Sequence, residues 1–279
     1  MHSRSSVRDR VAPVATGVLL ATAACVFAWR GEADIVGDHD LRGVQTVRID
    51  LPSTPMAIET CEPSAPGACP ESLRYAGRVL ATGGSAADAR RHARTPALVF
   101  ERRGTLARLG VDIPLSIRGL VDLELGALAL PADRDLDVHT DLGDVEVYGS
   151  RGAVMIAVGR GDVLVEGGDG GVAVDVDVGD IEVHGGGDVD LATSTGKVDV
   201  LQSTAGRHVF IDADGDVTVE LAASTDLDLD VAAGGPISVR TSTVVALADG
   251  RLKRRTGSGS AQIVIRCGGA LTITERAGQ

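Results

Sequence analysis

From residue 143 onward, hydrophobic and polar residues alternate in short runs, and each run follows a glycine and one further residue. The first run is Gly143-Asp144-Val145-Glu146-Val147, and related runs begin at residues 161, 179, 196, 215 and 235. These glycines are 18, 18, 17, 19 and 20 residues apart. A period of two predicts β-strands with one buried face, and the fixed longer period predicts a repeat architecture.

A second alternating segment lies between successive runs, so each repeat contains two strands. The second strands are predicted at Val154–Val158, Val172–Val178, Val189–Leu191, Val209–Ile211 and Leu227–Val231. Two such strands with their turns fill about 18 residues, one coil of a β-helix whose coils stack at about 4.8 Å. We therefore predict an all-β fold, a single-stranded parallel β-helix (β-solenoid) of about six coils.

The alternation also predicts which side chains face the core. Val145 and Val147 should point inward and Glu146 outward, and the equivalent residues of later repeats should do the same. The glycines should occupy the corners, where a Cβ would clash.

Aspartate follows the corner glycine in four repeats, at Asp144, Asp162, Asp180 and Asp216. A column of carboxylates could bind calcium, or each aspartate could accept hydrogen bonds from the amides of its own turn. We favour the structural role, because Lys197 interrupts the column and Val172 stands where a calcium-binding nonapeptide has its ligand aspartate. No metal site and no cofactor is predicted.

Residues 31–128 lack the repeat and are predicted to form a β-rich cap over the solenoid domain, residues 129–279. Its predicted strands are Thr46–Leu51, Ala57–Thr60, Leu73–Thr82, Ala97–Arg102 and Val121–Leu125. A short helix is predicted over Ser85–Arg94, with Ser85 as the N-cap.

Composition and charge narrow the classes of partner. The chain is 44% hydrophobic but only 2% aromatic, so its core must be aliphatic, and its net charge is −12. Between Asp133 and Asp230 there are 23 acidic and five basic residues, a net charge of −18. A surface of this sign repels phosphate, so we do not expect a nucleic-acid partner.

An uncharged segment, Val11–Trp29, follows three arginines at the N-terminus. As a helix it would nearly span a bilayer core, with everything after Trp29 outside the cytoplasm. Residues 1–30 are therefore predicted to be a signal or anchor that places the protein on the extracytoplasmic side of a bacterial cell envelope. Three forms stay open: an uncleaved anchor, a lipoprotein modified at Cys25, and cleavage after Ala23.

Export permits disulfides, and Cys61 and Cys69 flank a loop rich in proline and glycine. We predict that they form a disulfide. Cys267 alternates with Ile263 and Ile265, so we expect it to face the core as an inert thiol.

The Gly-Asp-Val-x-Val repeats resemble a bacterial family of β-solenoid domains known as the "putative adhesin" family. The resemblance includes the residues that lead into the first repeat, Leu130-Pro131 and Asp141-Leu142-Gly143-Asp144. The resemblance covers roughly residues 120–275. It implies the solenoid fold, but that family has no assigned biochemical activity, so no functional residues carry over. Bactofilins are a similar polymerising β-helix, but they are cytoplasmic and lack an export segment.

The sequence favours a non-catalytic, adhesin-like interaction module over an enzyme. Sugar-active β-helices use aromatic platforms and grouped carboxylates, whereas the acidic residues here follow the repeat. The expected partner is an unknown envelope or surface ligand, with membrane contact only through the N-terminal segment. A self-assembling scaffold is the main alternative, with homo-oligomers, and a polysaccharide-active enzyme is the less favoured one.

Overall fold

The computed structural model describes residues 29–61, 71–185, 187–201, 208–222, 226–259 and 261–276, and within them the fold is all-β, as predicted. The N-terminal elements are β1 (Trp29–Asp40), β2 (Thr46–Asp50), β3 (Met56–Cys61), β4 (Ser72–Gly83), α1 (Ala86–Ala93), β5 (Ala97–Arg103), β6 (Leu106–Asp112), a 3₁₀ turn (Arg118–Leu120) and β7 (Val121–Pro131). The repeat contributes β8 (Asp135–Leu142), β9 (Val145–Ser150), β10 (Val154–Arg160), β11 (Val163–Gly167), β12 (Val172–Val178), β13 (Ile181–Gly185), β14 (Val189–Thr193), β15 (Val198–Leu201), β16 (Val209–Ala213) and β17 (Val217–Leu221). The last strands are β18 (Leu227–Arg240), β19 (Val245–Arg255), β20 (Ala261–Cys267) and β21 (Leu271–Glu275).

The repeat strands form two parallel stacks, because each strand pairs with the strand two places further along the chain. We call the stack of β8, β10, β12, β14 and β16 column A, and the stack of β9, β11, β13, β15 and β17 column B. The chain passes from one column to the other at every turn. This arrangement is solenoid-like, with about one repeat per layer.

The register of the columns confirms the predicted inward and outward positions. In column B, Val147 is level with Val165, which is level with Val183, and all three are fully buried. Glu146 and Glu182, one residue earlier, are exposed. Stacked aliphatic side chains therefore form a continuous core between the columns, and polar residues cover the outside.

The predicted cap strands extend the same two columns. β2 pairs in parallel with β8 and β6 with β2, while β3 pairs with β9 and β7 with β3. Strand pairing thus runs across the boundary predicted between residues 128 and 129, and that division into domains stays a prediction. Antiparallel strands flank these layers, with β5 on β6, β4 on β7 and β1 on β4.

The C-terminal strands stack out of sequence order. β20 lies between β16 and the first half of β18, and β21 lies between β17 and the second half of β18. The repeat that begins at Gly235 therefore pairs with Leu271–Ile273, and the expectation that it stacks directly on the preceding repeat is wrong. β19 then closes this end as an antiparallel partner of β18.

Along either column the described residues form nine layers, more than the six coils predicted. In spatial order they are β6–β7, β2–β3, β8–β9, β10–β11, β12–β13, β14–β15, β16–β17, β20–β21 and the two halves of β18.

The predicted short helix is present as α1. Ser85 is its N-cap, and the Ser85 side chain accepts a hydrogen bond from the Asp88 amide at 3.1 Å. None of the helices in the described residues is long and apolar enough to cross a membrane. The predicted N-terminal helix lies outside the described residues, apart from Trp29, which begins β1.

Candidate interaction surface

The predicted turn aspartates connect successive layers of the stack. The Oδ1 atom of Asp144 accepts a hydrogen bond from the Asp162 amide at 2.9 Å, and Asp162 accepts one from the Asp180 amide at 2.9 Å. Asp180 accepts from the Lys197 amide at 2.8 Å, and Asp216 from the Ala270 amide at 2.8 Å. The donors belong to the next layer, so the expectation that they belong to the same turn is wrong. Each aspartate ties two layers together at the corner.

The glycine before each of these aspartates is required by close packing between layers. Gly179 has a φ of +153°, and a Cβ built on it would lie 1.9 Å from the carbonyl oxygen of Gly161. Gly161 stands in the same relation to Gly143, at 2.2 Å. The Gly-Asp pair is therefore explained by the corner itself, with glycine allowing the approach and aspartate bonding across it.

Carboxylates line the corner and the outer side of column B. We call this surface the acidic face and define it as Asp144, Glu146, Asp162, Glu166, Asp180, Glu182 and Asp199, all of which are exposed. Five of them surround a shallow groove of about 300 Å³: Asp144, Glu146, Asp162, Asp180 and Glu182. Leu164 lies level with Glu146 and Glu182 and forms the apolar floor between them.

Few groups in the described residues offset the charge of the acidic face. The exposed Lys197 adds one positive charge at the corner position that follows Asp180. His184 lies 2.7 Å from Glu182 and 3.9 Å from Glu166, measured between ring nitrogen and carboxylate oxygen. The Tyr148 hydroxyl donates to Glu146 at 3.0 Å. That bond raises the pKa of Tyr148, with smaller contributions from burial and from the charges of Glu146 and Glu166. Among the described residues, no group of three or more side chains is arranged to hold a metal ion.

A second charged cluster lies on the outer side of column A, near its N-terminal layers. Arg48 contacts Asp50 at 3.0 Å and Asp137 at 3.6 Å, and Arg108 also binds Asp50. His139 lies 2.7 Å from Asp137. Burial disfavours the charged form of Asp50, but hydrogen bonds from Arg48 and Arg108 outweigh burial and lower the pKa of this carboxyl. In this cluster the charges largely neutralise one another.

A groove of about 500 Å³ adjoins this cluster, and three further aspartates, Asp141, Asp175 and Asp177, line it. The repeat pattern alone did not bring these groups together. The available signal was their shared register, because Asp50 is level with His139 and, through Ala157, with Asp175.

The structure bears differently on the predictions made for Cys61, Cys25 and Cys267. Cys61 ends β3 and takes part in a disulfide, but its partner lies outside the described residues, so the pairing with Cys69 stays a prediction. Cys25 also lies outside them. Cys267 is a free, buried thiol, as expected, and burial raises its pKa, with a further contribution from the charge of Asp216.

No protein-family model matches this chain, and no curated protein matches it. A solved structure from Clostridium sporogenes, described as a "putative cell adhesion protein", is 12% identical with a TM-score of 0.38, covering 88% of this chain and 100% of its own. A "putative adhesin" from Bacteroides fragilis is 8% identical with a TM-score of 0.36, covering 88% and 97%. Another from Parabacteroides merdae is 8% identical with a TM-score of 0.22, covering 89% and 97%. Similarities this low do not identify the activity or partner of this chain.

Proposed function

We propose that this chain is a non-catalytic, adhesin-like interaction module of the bacterial cell envelope, and that it binds a cationic partner along the acidic face. The observation that carries the proposal is the row of exposed carboxylates at Glu146, Glu182 and Asp199, which share one register of column B. Glu182 and Asp199 are in adjacent layers, and Leu164 occupies the layer between Glu146 and Glu182.

The spacing of this row makes its charges act together. Neighbouring layers are about 4.8 Å apart, so Glu182 and Asp199 lie within the screening length of about 8 Å at physiological ionic strength, and so do neighbouring aspartates of the corner, Asp144, Asp162 and Asp180. Glu146 lies two layers from Glu182, about 10 Å away, and its closer charged neighbour is Asp144 at the same corner. A cationic ligand with several charges can therefore contact several carboxylates at once. Since the carboxylates sit on strands held in place by the core, the backbone that carries them loses little conformational freedom on binding.

The proposal also covers the type of β-helix and the location of the protein in the cell. Columns A and B are the two sides of a single-stranded parallel β-helix, and residues 1–30 hold it outside the cytoplasm as an anchor or a lipoprotein. Ligand binding then occurs along the side of the stack. The sign of the charge disfavours nucleic acid as a partner.

The experiment measures the affinity of the full chain, in mild detergent, for an oligolysine peptide by calorimetry. Replacing Glu146, Glu182 and Asp199 by their amides should weaken binding about tenfold, since exposed ion pairs contribute about 0.2–1 kcal/mol each. The matched control neutralises three carboxylates on the other column, Asp175, Asp177 and Asp212, and should retain most of the affinity. Equal losses in the two triple variants would show that only net charge matters and would reject the proposed face.

The enzyme alternative rests on the groove lined by His139, Asp175 and Asp177. If a screen of envelope polysaccharides finds turnover that Asp175→Asn or Asp177→Asn abolishes, the function is catalytic and our proposal is wrong.

A further inference from the structure

The sheet ends in strands that have one neighbour each. In the described part of the chain, β19 pairs only with β18 at the C-terminal end of the stack. At the other end β1 pairs only with β4, and β5 only with β6. An edge strand presents a row of unpaired N–H and C=O groups to which another strand can bond.

The edges β19 and β1 carry opposite charges. β19 has four basic residues and one acidic residue, a net charge of +3: Arg251, Lys253, Arg254, Arg255 and Asp249. β1 has four acidic residues and one arginine, a net charge of −3: Glu32, Asp34, Asp38, Asp40 and Arg30. Charged edges are a common protection against aggregation. Here the charges disfavour pairing of two like edges, but they favour pairing of β19 with β1.

Both edges also expose large apolar side chains. Val245 and Leu247 on β19 are 83% and 80% exposed, and Val36 on β1 is 78% exposed. The two strands have similar lengths, 11 residues in β19 and 12 in β1. A β19–β1 pair would therefore cover apolar surface at both ends of the stack. The register of β19 with β18 is interrupted between Ala232 and Pro236, so we expect the backbone pairing with β1 to form along one half of β19, the basic half from Arg251 to Arg255.

Much of this charge already has a partner within the chain. On β19, Arg251 and Lys253 contact Asp230 at 2.8 and 3.3 Å. On β1, three of the four carboxylates contact an arginine: Glu32 contacts Arg78 at 3.3 Å, Asp38 contacts Arg74 at 3.1 Å and Asp40 contacts Arg42 at 2.7 Å. These side chains stay one-third or more exposed, so a second strand can share them. Asp34 and Arg254 form no ion pair among the described residues and are available to a new partner.

We propose that β19 of one copy adds as a strand to β1 of a second copy, so that copies associate head to tail. The third edge, β5, contains Glu101, Arg102 and Arg103 and is itself net positive, so it does not compete for β19. Since the two surfaces differ, the contact is heterologous, and each added copy leaves a free β1 and a free β19 for the next. This inference is independent of ligand binding on the acidic face.

The test is sedimentation velocity of the full chain in mild detergent at about 50 and about 500 mM salt. The unmodified chain should form concentration-dependent oligomers at low salt that dissociate at high salt. Arg254→Glu/Arg255→Glu makes both edges negative, and Asp34→Arg/Asp38→Arg makes both positive, so each variant alone should be a monomer. A mixture of the two should associate again, because every β19 then meets a β1 of opposite charge.

Two controls keep the result interpretable. Circular dichroism should show unchanged β-structure in each variant, and Glu146→Lys/Glu182→Lys on the acidic face should leave the oligomers unchanged. A monomeric unmodified chain at low salt, or edge variants that associate as it does, would overturn the proposal. Loss of association in the acidic-face control would overturn it too, by placing the contact on column B. Loss of oligolysine binding without a change in sedimentation would instead concern only the ligand-binding function.

Discussion

Val219 and Thr218 are adjacent residues of β17, and the same substitution at each of them tests which of the two side chains faces the core. Val219 is fully buried, level with Val200 on one side and Ile273 on the other. Thr218 is exposed. Valine and threonine have nearly the same shape, so Val219→Asp and Thr218→Asp introduce the same carboxyl by similar steps into the core and onto the surface.

The decrease in the free energy of unfolding caused by Val219→Asp is the sum of three contributions. Losing a buried valine removes about 1.5–3 kcal/mol of hydrophobic stabilisation. Burying the neutral carboxyl without a designed partner costs a further ~1–3 kcal/mol. Keeping it neutral at pH 7 costs up to about 4 kcal/mol, since its unfolded pKa is about 3.9 and each pH unit contributes about 1.4 kcal/mol. Allowing for local relaxation, we expect a loss of about 5 kcal/mol or more, whereas Thr218→Asp should cost under ~1 kcal/mol.

The pH dependence has a defined sign. In the folded Val219→Asp variant the introduced carboxyl has a raised pKa, so its native state binds more protons than its unfolded state. The variant should therefore be least destabilised below the unfolded pKa, and it should lose stability as pH rises toward the folded pKa.

The assay is urea unfolding of the full chain followed by circular dichroism at pH 4 and pH 7. Equal midpoints for the two variants at pH 7 would show that the register of column B is wrong.

Three further predictions concern individual residues. Non-reducing peptide mapping of protein from the envelope should find Cys61 joined to Cys69, and two free thiols would contradict the pairing. Asp50→Asn should lower the stability by about 1 kcal/mol at pH 7; because the arginines stabilise the ionised form, the difference from the unmodified chain should vanish as pH falls through the lowered pKa of Asp50. Cell fractionation of Cys25→Ser should separate the forms of the N-terminus: loss of membrane association would identify lipidation, unchanged association an uncleaved anchor, and recovery of the unmodified chain in the cytosol would refute the envelope location.

The repeat made much of the fold predictable. A buried valine at every second position, as at Val163 and Val165, determines both the strand and the side that faces the core. The outward acidic residues Glu146 and Glu182 follow from the same register, so the acidic face could be foreseen in outline.

The order of the layers was not predictable, because all parallel layers share one pattern. Ile263 and Ile265 alternate as Val209 and Ile211 do, so nothing local shows that β20 stacks on β16 before β18 does. The layer formed by β2 and β3 could not be predicted for a related reason. Long chain segments separate them from the strands that they contact, and only those contacts bring Arg48 to Asp137.

Carboxyl footprinting tests the proposed acidic face most directly, because it works without the ligand being identified. Carboxylates of the full chain would be labelled in intact envelopes and in purified protein, and the labelling of each residue compared by mass spectrometry. We predict that Glu146, Glu182 and Asp199 are labelled less in the envelope, while Asp175 and Asp212 on column A are labelled equally in both. Equal labelling of the acidic face in both samples, or protection confined to column A, would contradict binding along this face.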